Sequence, residues 1–173
     1  MALRARAFGR QELEALAEAL RIAREMTGQY FALPDDWFAR TSHEVCTLRQ
    51  LRAQEILGAG RLAQIRRLHR VVQPRSPFSG GQGVRAHYRI CLQDHNILER
   101  LREDTALTAR DLLAYVLTHE YVHLIRFDRL EHPYRSFPDD AAREETRVSE
   151  LAWAIATRLG PPALRRASGT TLG

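Results

Sequence analysis

Along the first part of the chain the apolar residues recur at helical spacing. Leu13, Leu16, Ala17, Leu20 and Ile22 share one face, which predicts an amphipathic helix over 11–27 with Gly28 as its stop. Leu33-Pro34-Asp35-Asp36 reads as a turn, after which Trp37 and Phe38 anchor a second short helix. From 46 to 73 the pattern stays helical but is broken around Gly58 and Gly60, so two helical pieces are expected. Residues 74–83, PRSPFSGGQG, form a loop by composition, with mobility expected.

The period then changes. Val84, Ala86, Tyr88, Ile90 and Leu92 alternate with Arg85, His87, Arg89 and Cys91, the pattern of a strand with one exposed side. A short helix is expected over 94–102. Thr108 with Asp111, a variant of the capping box, opens a longer one that runs to about Ile125. A last helix starts near Asp139 or Asp140, after Pro138, and ends at Leu159 before Gly160-Pro161-Pro162. Residues 163–173 are expected to be a flexible tail. The fold class that follows is α+β, predominantly helical. One domain is expected over 1–162, with 1–83 as a helical N-terminal part and 84–162 as the core.

Composition narrows the picture. A chain of 173 residues with 45% hydrophobic content suits a single core. The net charge is +5, and all 26 basic residues are Arg. A basic chain raises nucleic acid as a partner. The Arg residues are scattered, however, and the absence of Lys resembles a genome-wide codon bias. The tightest run, Arg66-Arg67 with Arg70, is expected on a solvated helix face. Nucleic-acid binding is therefore the secondary expectation. Cys46 and Cys91 form no CxxC pair, which excludes a disulfide framework and a thiolate metal site. They are expected as small buried hydrophobes. The first twenty residues lack an apolar signal-peptide segment, and no run of about 18 apolar residues spans a bilayer. No membrane partner and a cytoplasmic location are expected.

The chemistry lies in His119-Glu120-Tyr121-Val122-His123, an HExxH motif. Leu112, Val116, His119 and His123 are spaced by four, three and four, so they share one face of a single helix. Two imidazoles one turn apart can reach one zinc ion at about 2.0–2.1 Å. Glu120 projects beside them, where a carboxylate takes a proton from water without ligating the metal. The flanks LLAYVLT and YVHLI describe a buried helix, in which unpartnered ionisable groups cost several kcal/mol. A metal removes that cost.

A third protein ligand is needed. Arg126 and Arg129 occupy the positions where a metzincin carries Gly and His, so that class is excluded. A Glu on the last helix is the other route. Its apolar face, set by Val148, Leu151, Ala152, Ile155 and Leu159, projects back between Glu144 and Glu145, and periodicity alone does not choose.

HExxH, a linker of about twenty residues and a Glu-bearing helix resemble the gluzincin group of zinc metallopeptidases, in its minimal one-domain form. The resemblance covers roughly 84–159, with 1–83 outside it. It implies a zincin-like domain whose small sheet packs on the HExxH helix. In that group the ligand Glu is commonly followed four residues later by a small polar or acidic residue supporting a His ligand. Glu145 has Ser149 there and Glu144 has Val148, so the resemblance favours Glu145, with Glu144 as the alternative. It also implies that the strand 84–92 pairs with an extended peptide substrate.

An oxyanion donor is sought among Tyr134, His132 and Arg126 in the linker, Tyr134 first because a phenol donates without competing for zinc. His132 is a further candidate for the third ligand. His43, His69, His87 and His95 are expected as surface or hydrogen-bonded histidines, Trp37 and Trp153 as core, and Asp94-His95-Asn96 as a turn after the strand. The expected function is a zinc metallopeptidase acting on a peptide or protein, with Glu120 as general base. The alternatives are a catalytically silent zincin-like binding or regulatory module, and an Arg-rich nucleic-acid-binding protein.

Overall fold

The computed structural model describes residues 6–72, 83–134 and 137–167. Six helices and three strands follow in the order α1 (Arg10–Tyr30), α2 (Trp37–Arg40), β1 (His43–Cys46), β2 (Ala63–Val72), β3 (Gly83–Leu92), α3 (Asp94–Glu103), α4 (Ala109–Asp128), α5 (Pro138–Leu159) and α6 (Leu164–Ala167). The architecture is α+β and mainly helical, as the patterning predicts. No helix among the described residues is long and apolar enough to cross a membrane.

The helix α4 is the axis of the molecule. Thr108 caps it, its hydroxyl accepting from the Asp111 amide at 3.1 Å, and nearly every residue from Asp111 to Phe127 is buried. A helix apolar all round must be enclosed on all sides. On one side α1 supplies the wall with Met26 and with Ala19 and Ala23, whose small side chains allow close approach. The Tyr121 hydroxyl is tied to α1 by the Arg24 guanidinium at 3.2 Å. On another side α5 packs with Val148, Ala152 and Ile155. Leu164 of α6 is fully buried against the same core. Residues 163–167 are therefore a docked segment and not the expected tail, whose remainder (168–173) lies outside the described residues.

The N-terminal part departs from expectation. Gly28 does not stop α1, which continues to Tyr30 and ends where Ala32 takes a positive φ of 49° and the Leu33 amide donates to the Gly28 carbonyl at 2.9 Å. The two expected helical pieces over 46–73 are replaced by short 3-10 turns at Leu48–Gln50 and Ala53–Glu55 and by the ten-residue strand β2. Arg66, Arg67 and Arg70 thus lie on a strand. Their neighbours Ile65, Leu68 and Val71 are three apart, which imitates a helical face. What decides is β3, with which β2 pairs antiparallel along its whole length, Ala63 opposite Leu92 and Val72 opposite Gly83.

The sheet order is β1-β3-β2, with β1 parallel to β3. The strand expected to be exposed is therefore the central one, and both its faces are covered. Tyr88, Ile90 and Leu92 join the core with α4, and Tyr88 stacks on Phe127 at 6.1 Å. On the other face Arg89 is held by Glu55 at 3.3 Å and Glu44 at 3.0 Å. Cys46 and Cys91 are buried there, as expected, and burial pushes the Cys91 thiol up to about 12.

Asp94-His95-Asn96 is not a loose turn but the start of α3, where Asp94 and Asn96 act as a latch. Asp94 accepts from the Phe8 and Leu48 amides, each at 2.9 Å. Asn96 donates to the Gly58 and Arg61 carbonyls at 2.8 and 2.7 Å. Trp37 is core, whereas Trp153 is 54% exposed on the outer face of α5. Gly160 ends α5 where nothing larger fits, since a Cβ there meets the Ala156 carbonyl oxygen at 2.5 Å. The composition-defined loop 74–83 falls almost wholly outside the described residues.

Candidate metal centre

The spacing of HExxH does locally what the geometry of a helix requires. His119 and His123 are one turn apart on α4, with ring centroids 5.0 Å apart and both rings nearly buried. Facing them, α5 presents Glu145. Its Oε1 lies 2.8 Å from His119 Nε2 and its Oε2 lies 3.1 Å from His123 Nε2. One donor atom from each residue lies within 4.8 Å of the others, the one group of this kind among the described residues.

Of the two glutamates that periodicity left open, Glu145 is brought to the histidines and Glu144 is not. Glu144 is buried and turned toward Arg126, whose Nε and Nη2 donate to its two oxygens at 2.6 and 2.9 Å. Arg126 also holds Glu131 at 2.7 Å. Arg126 belongs to α4 and not to the linker, and its guanidinium is engaged by carboxylates instead of facing the cluster. His132 sits beside Glu144, with Nδ1 3.6 Å from Oε2, and is not among the converging donors. Tyr134 does reach the site. Its ring packs edge-on to Phe127 at 5.4 Å and its hydroxyl donates to the Ile65 carbonyl at 3.5 Å, a long contact.

These groups line one cleft of roughly 640 Å³ between α4, α5 and β2. Its walls are His119, Glu120, His123, Glu145, Phe127 and Tyr134, closed by Ala63, Gln64 and Ile65 of β2 and by Ala141 and Ala142 of α5. The strand beside the site is thus β2, an edge strand, in place of the expected 84–92.

The electrostatics are those of mutually held charges. Burial alone depresses the His123 imidazole, but the Glu145 hydrogen bond and the charges of Glu120, Glu145 and Glu144 outweigh it, so its pKa is raised. Burial likewise opposes ionisation of Glu145, yet its hydrogen bonds to His119 and His123 hold the carboxyl well below the usual range. Glu120 is pushed up by burial, tempered by the two imidazoles. Glu144 is pulled down despite burial, chiefly by Arg126.

Two imidazole nitrogens and a carboxylate are a donor set for zinc or a similar divalent ion. Tetrahedral ligands at about 2.0–2.1 Å lie roughly 3.3 Å apart, so an ion fits if these contacts open by about half an ångström. The far sides of the rings are less conventional. Neither His119 Nδ1 nor His123 Nδ1 has a hydrogen-bond partner among the described residues, and no hydrogen bond from Ser149 reaches them. His123 is instead packed against the stacked ring of Phe127, 5.8 Å away at 22°. The remaining histidines are as expected: His43, His87 and His95 are engaged with Thr41, Ser42 and Leu57, and His69 is exposed.

Comparison of the chain with protein-family profiles, curated proteins and solved structures finds no match.

Proposed function

We propose that this chain is a zinc-dependent metallopeptidase of the HExxH type, in which His119, His123 and Glu145 hold one zinc ion and Glu120 is the general base. The observation that carries the reading is the convergence of His119 Nε2, His123 Nε2 and Glu145 in a cleft that also contains Glu120. Zinc bound there would supply Lewis acidity, lowering the pKa of a coordinated water to about 7 and polarising a carbonyl.

The chain's own residues do the rest. Glu120 accepts the proton of the attacking water on its carboxylate and returns it to the leaving nitrogen. Its desolvated setting raises its affinity for that proton. The Tyr134 hydroxyl, on the same wall, donates to the oxygen that gains negative charge. Among the described residues β2 is an edge strand beside the donors, and an extended peptide adds there as a strand, with Ala63 to Ile65 setting its path.

Elemental analysis of the purified protein tests the reading, together with hydrolysis of a mixed peptide library. The expected result is one zinc per chain, lost in His119→Ala and Glu145→Ala but kept in Glu120→Gln, which slows hydrolysis by about 10²–10⁴. Folded protein without metal would sink the proposal. Zinc retained with no hydrolysis of any peptide would favour the silent binding module.

A further inference from the structure

The positions of Glu144 and Glu145 raise a physical problem that apolar packing does not solve. The buried residues of α5 nearest them, Val148 and Ala152, leave the first turns of the helix without a deep apolar anchor, since Ala141, Ala142 and Arg143 are exposed. Neighbouring helical residues differ by about 100° in direction. At a helix radius of roughly 5–6 Å, a rotation of only 10° moves a side chain by about 1 Å. Metal–ligand distances tolerate about 0.2 Å. Something must fix the rotation of α5 near its N-terminal end.

Among the described residues, the polar ties from α4 to α5 are the contacts of His119 and His123 with Glu145 and the fork of Arg126 on Glu144. Arg126 follows His123 by three residues, so it stands on the same side of α4 one turn further along. The fork is bidentate, both partners are largely buried, and Glu131 braces the guanidinium from the linker. A planar guanidinium on a carboxylate defines direction as well as distance.

We propose that Arg126 is a positioning residue for the metal centre: by gripping Glu144 it sets the rotation of α5 that aims Glu145 at His119 and His123, and keeps Glu144 from competing as a ligand. The proposal rests on the metal reading above. The unpartnered Nδ1 atoms strengthen it, because the usual support for ligand imidazoles is absent among the described residues and the geometry must be held from elsewhere.

The test is zinc affinity of the full chain, measured by competition with a chromophoric chelator while circular dichroism reports that each variant is folded. Arg126→Gln and Glu144→Gln are expected to weaken zinc binding by about 10–100-fold, the range for residues that orient ligands. Arg126→Lys, which keeps the charge but not the fork, falls between them and wild type. Arg89→Met, which breaks a buried ion pair away from the cleft, serves as the stability control and leaves affinity unchanged. Wild-type affinity in folded Arg126→Gln or Glu144→Gln overturns this proposal alone. Equal loss in Arg89→Met also overturns it, by showing that stability is what zinc binding follows. No zinc bound by the wild-type protein overturns the metal reading and this proposal with it.

Discussion

Two clusters of buried polar groups flank the central strand region, and they are built on opposite principles. Around Arg89 and the start of α3, the buried carboxylate and amide side chains are matched. Glu55 takes the Arg52 amide at 2.8 Å and the Arg89 guanidinium at 3.3 Å. Gln93 takes the Leu57 amide at 2.9 Å and gives to the Glu55 carbonyl at 3.0 Å. Asp94 and Asn96 complete the set with four backbone partners. On the α4–α5 side His119 Nε2, His123 Nε2 and a Glu145 oxygen converge on one another at the wall of a cleft, while the two imidazole Nδ1 atoms have no hydrogen-bond partner among the described residues. A buried polar group that is fully satisfied stabilises a fold. Donors that converge beside open space are arranged for something that enters it.

If the proposed site holds zinc, that contrast makes stability and metal content separable. The largest effect is expected from Arg89→Met, which leaves the Glu55 carboxylate buried and without its main cation. Urea denaturation should show a loss of about 3–5 kcal/mol, with zinc per folded chain unchanged. Loss of zinc from the folded fraction would break the separation. Next is Tyr134→Phe, on the other side of the comparison. Turnover should fall by about 10², equivalent to about 2.7 kcal/mol of barrier, with the denaturation midpoint and metal content kept. An unchanged kcat would remove Tyr134 from the chemistry.

The smallest effect is in acid. Burial works against the charge on Glu55, but the Arg52 amide and Arg89 win, so its folded pKa lies below its ordinary 4.5. A carboxyl depressed on folding contributes stability above the unfolded pKa and loses it as pH falls through the folded one. Glu55→Gln should therefore lower stability at neutral pH and flatten the decline below about pH 4.5. Denaturation at a series of pH values reads this directly; an unaltered slope would show that Glu55 is not coupled to Arg89.

Long periodic segments were the legible part of the fold. The four long helices and β3 follow from apolar spacing, the Thr108 cap and the Gly160-Pro161-Pro162 stop. The strand β2 was not legible, because Ile65, Leu68 and Val71 imitate a helical face and the pairing that overrules them comes from β3, some twenty residues later. β1 has only four residues, too few for a period to register. Trp153 misled through its identity, since it lies on the outer face of α5. In the site, the two histidines and Glu120 were readable because i and i+4 on a helix is a local relation. The direction of Glu144 was not, since it is turned toward Arg126 eighteen residues away. The matched cluster around Glu55 and Asp94 left no trace in local pattern either, because its partners are up to 86 residues apart.

Those same separations bear on how fast the molecule assembles. The parallel pairing of β1 with β3 joins segments that have all of β2 between them in the chain, and the Phe8–Asp94 hydrogen bond closes a loop of 86 residues. Loop-closure entropy must be met before such contacts return anything, so refolding is expected to be slower than for a helical chain with only local contacts. An ion held between α4 and α5, as proposed, would act at the opposite end of the trajectory. Binding only the finished arrangement, it would lengthen the lifetime of the native molecule and leave the climb toward it almost untouched.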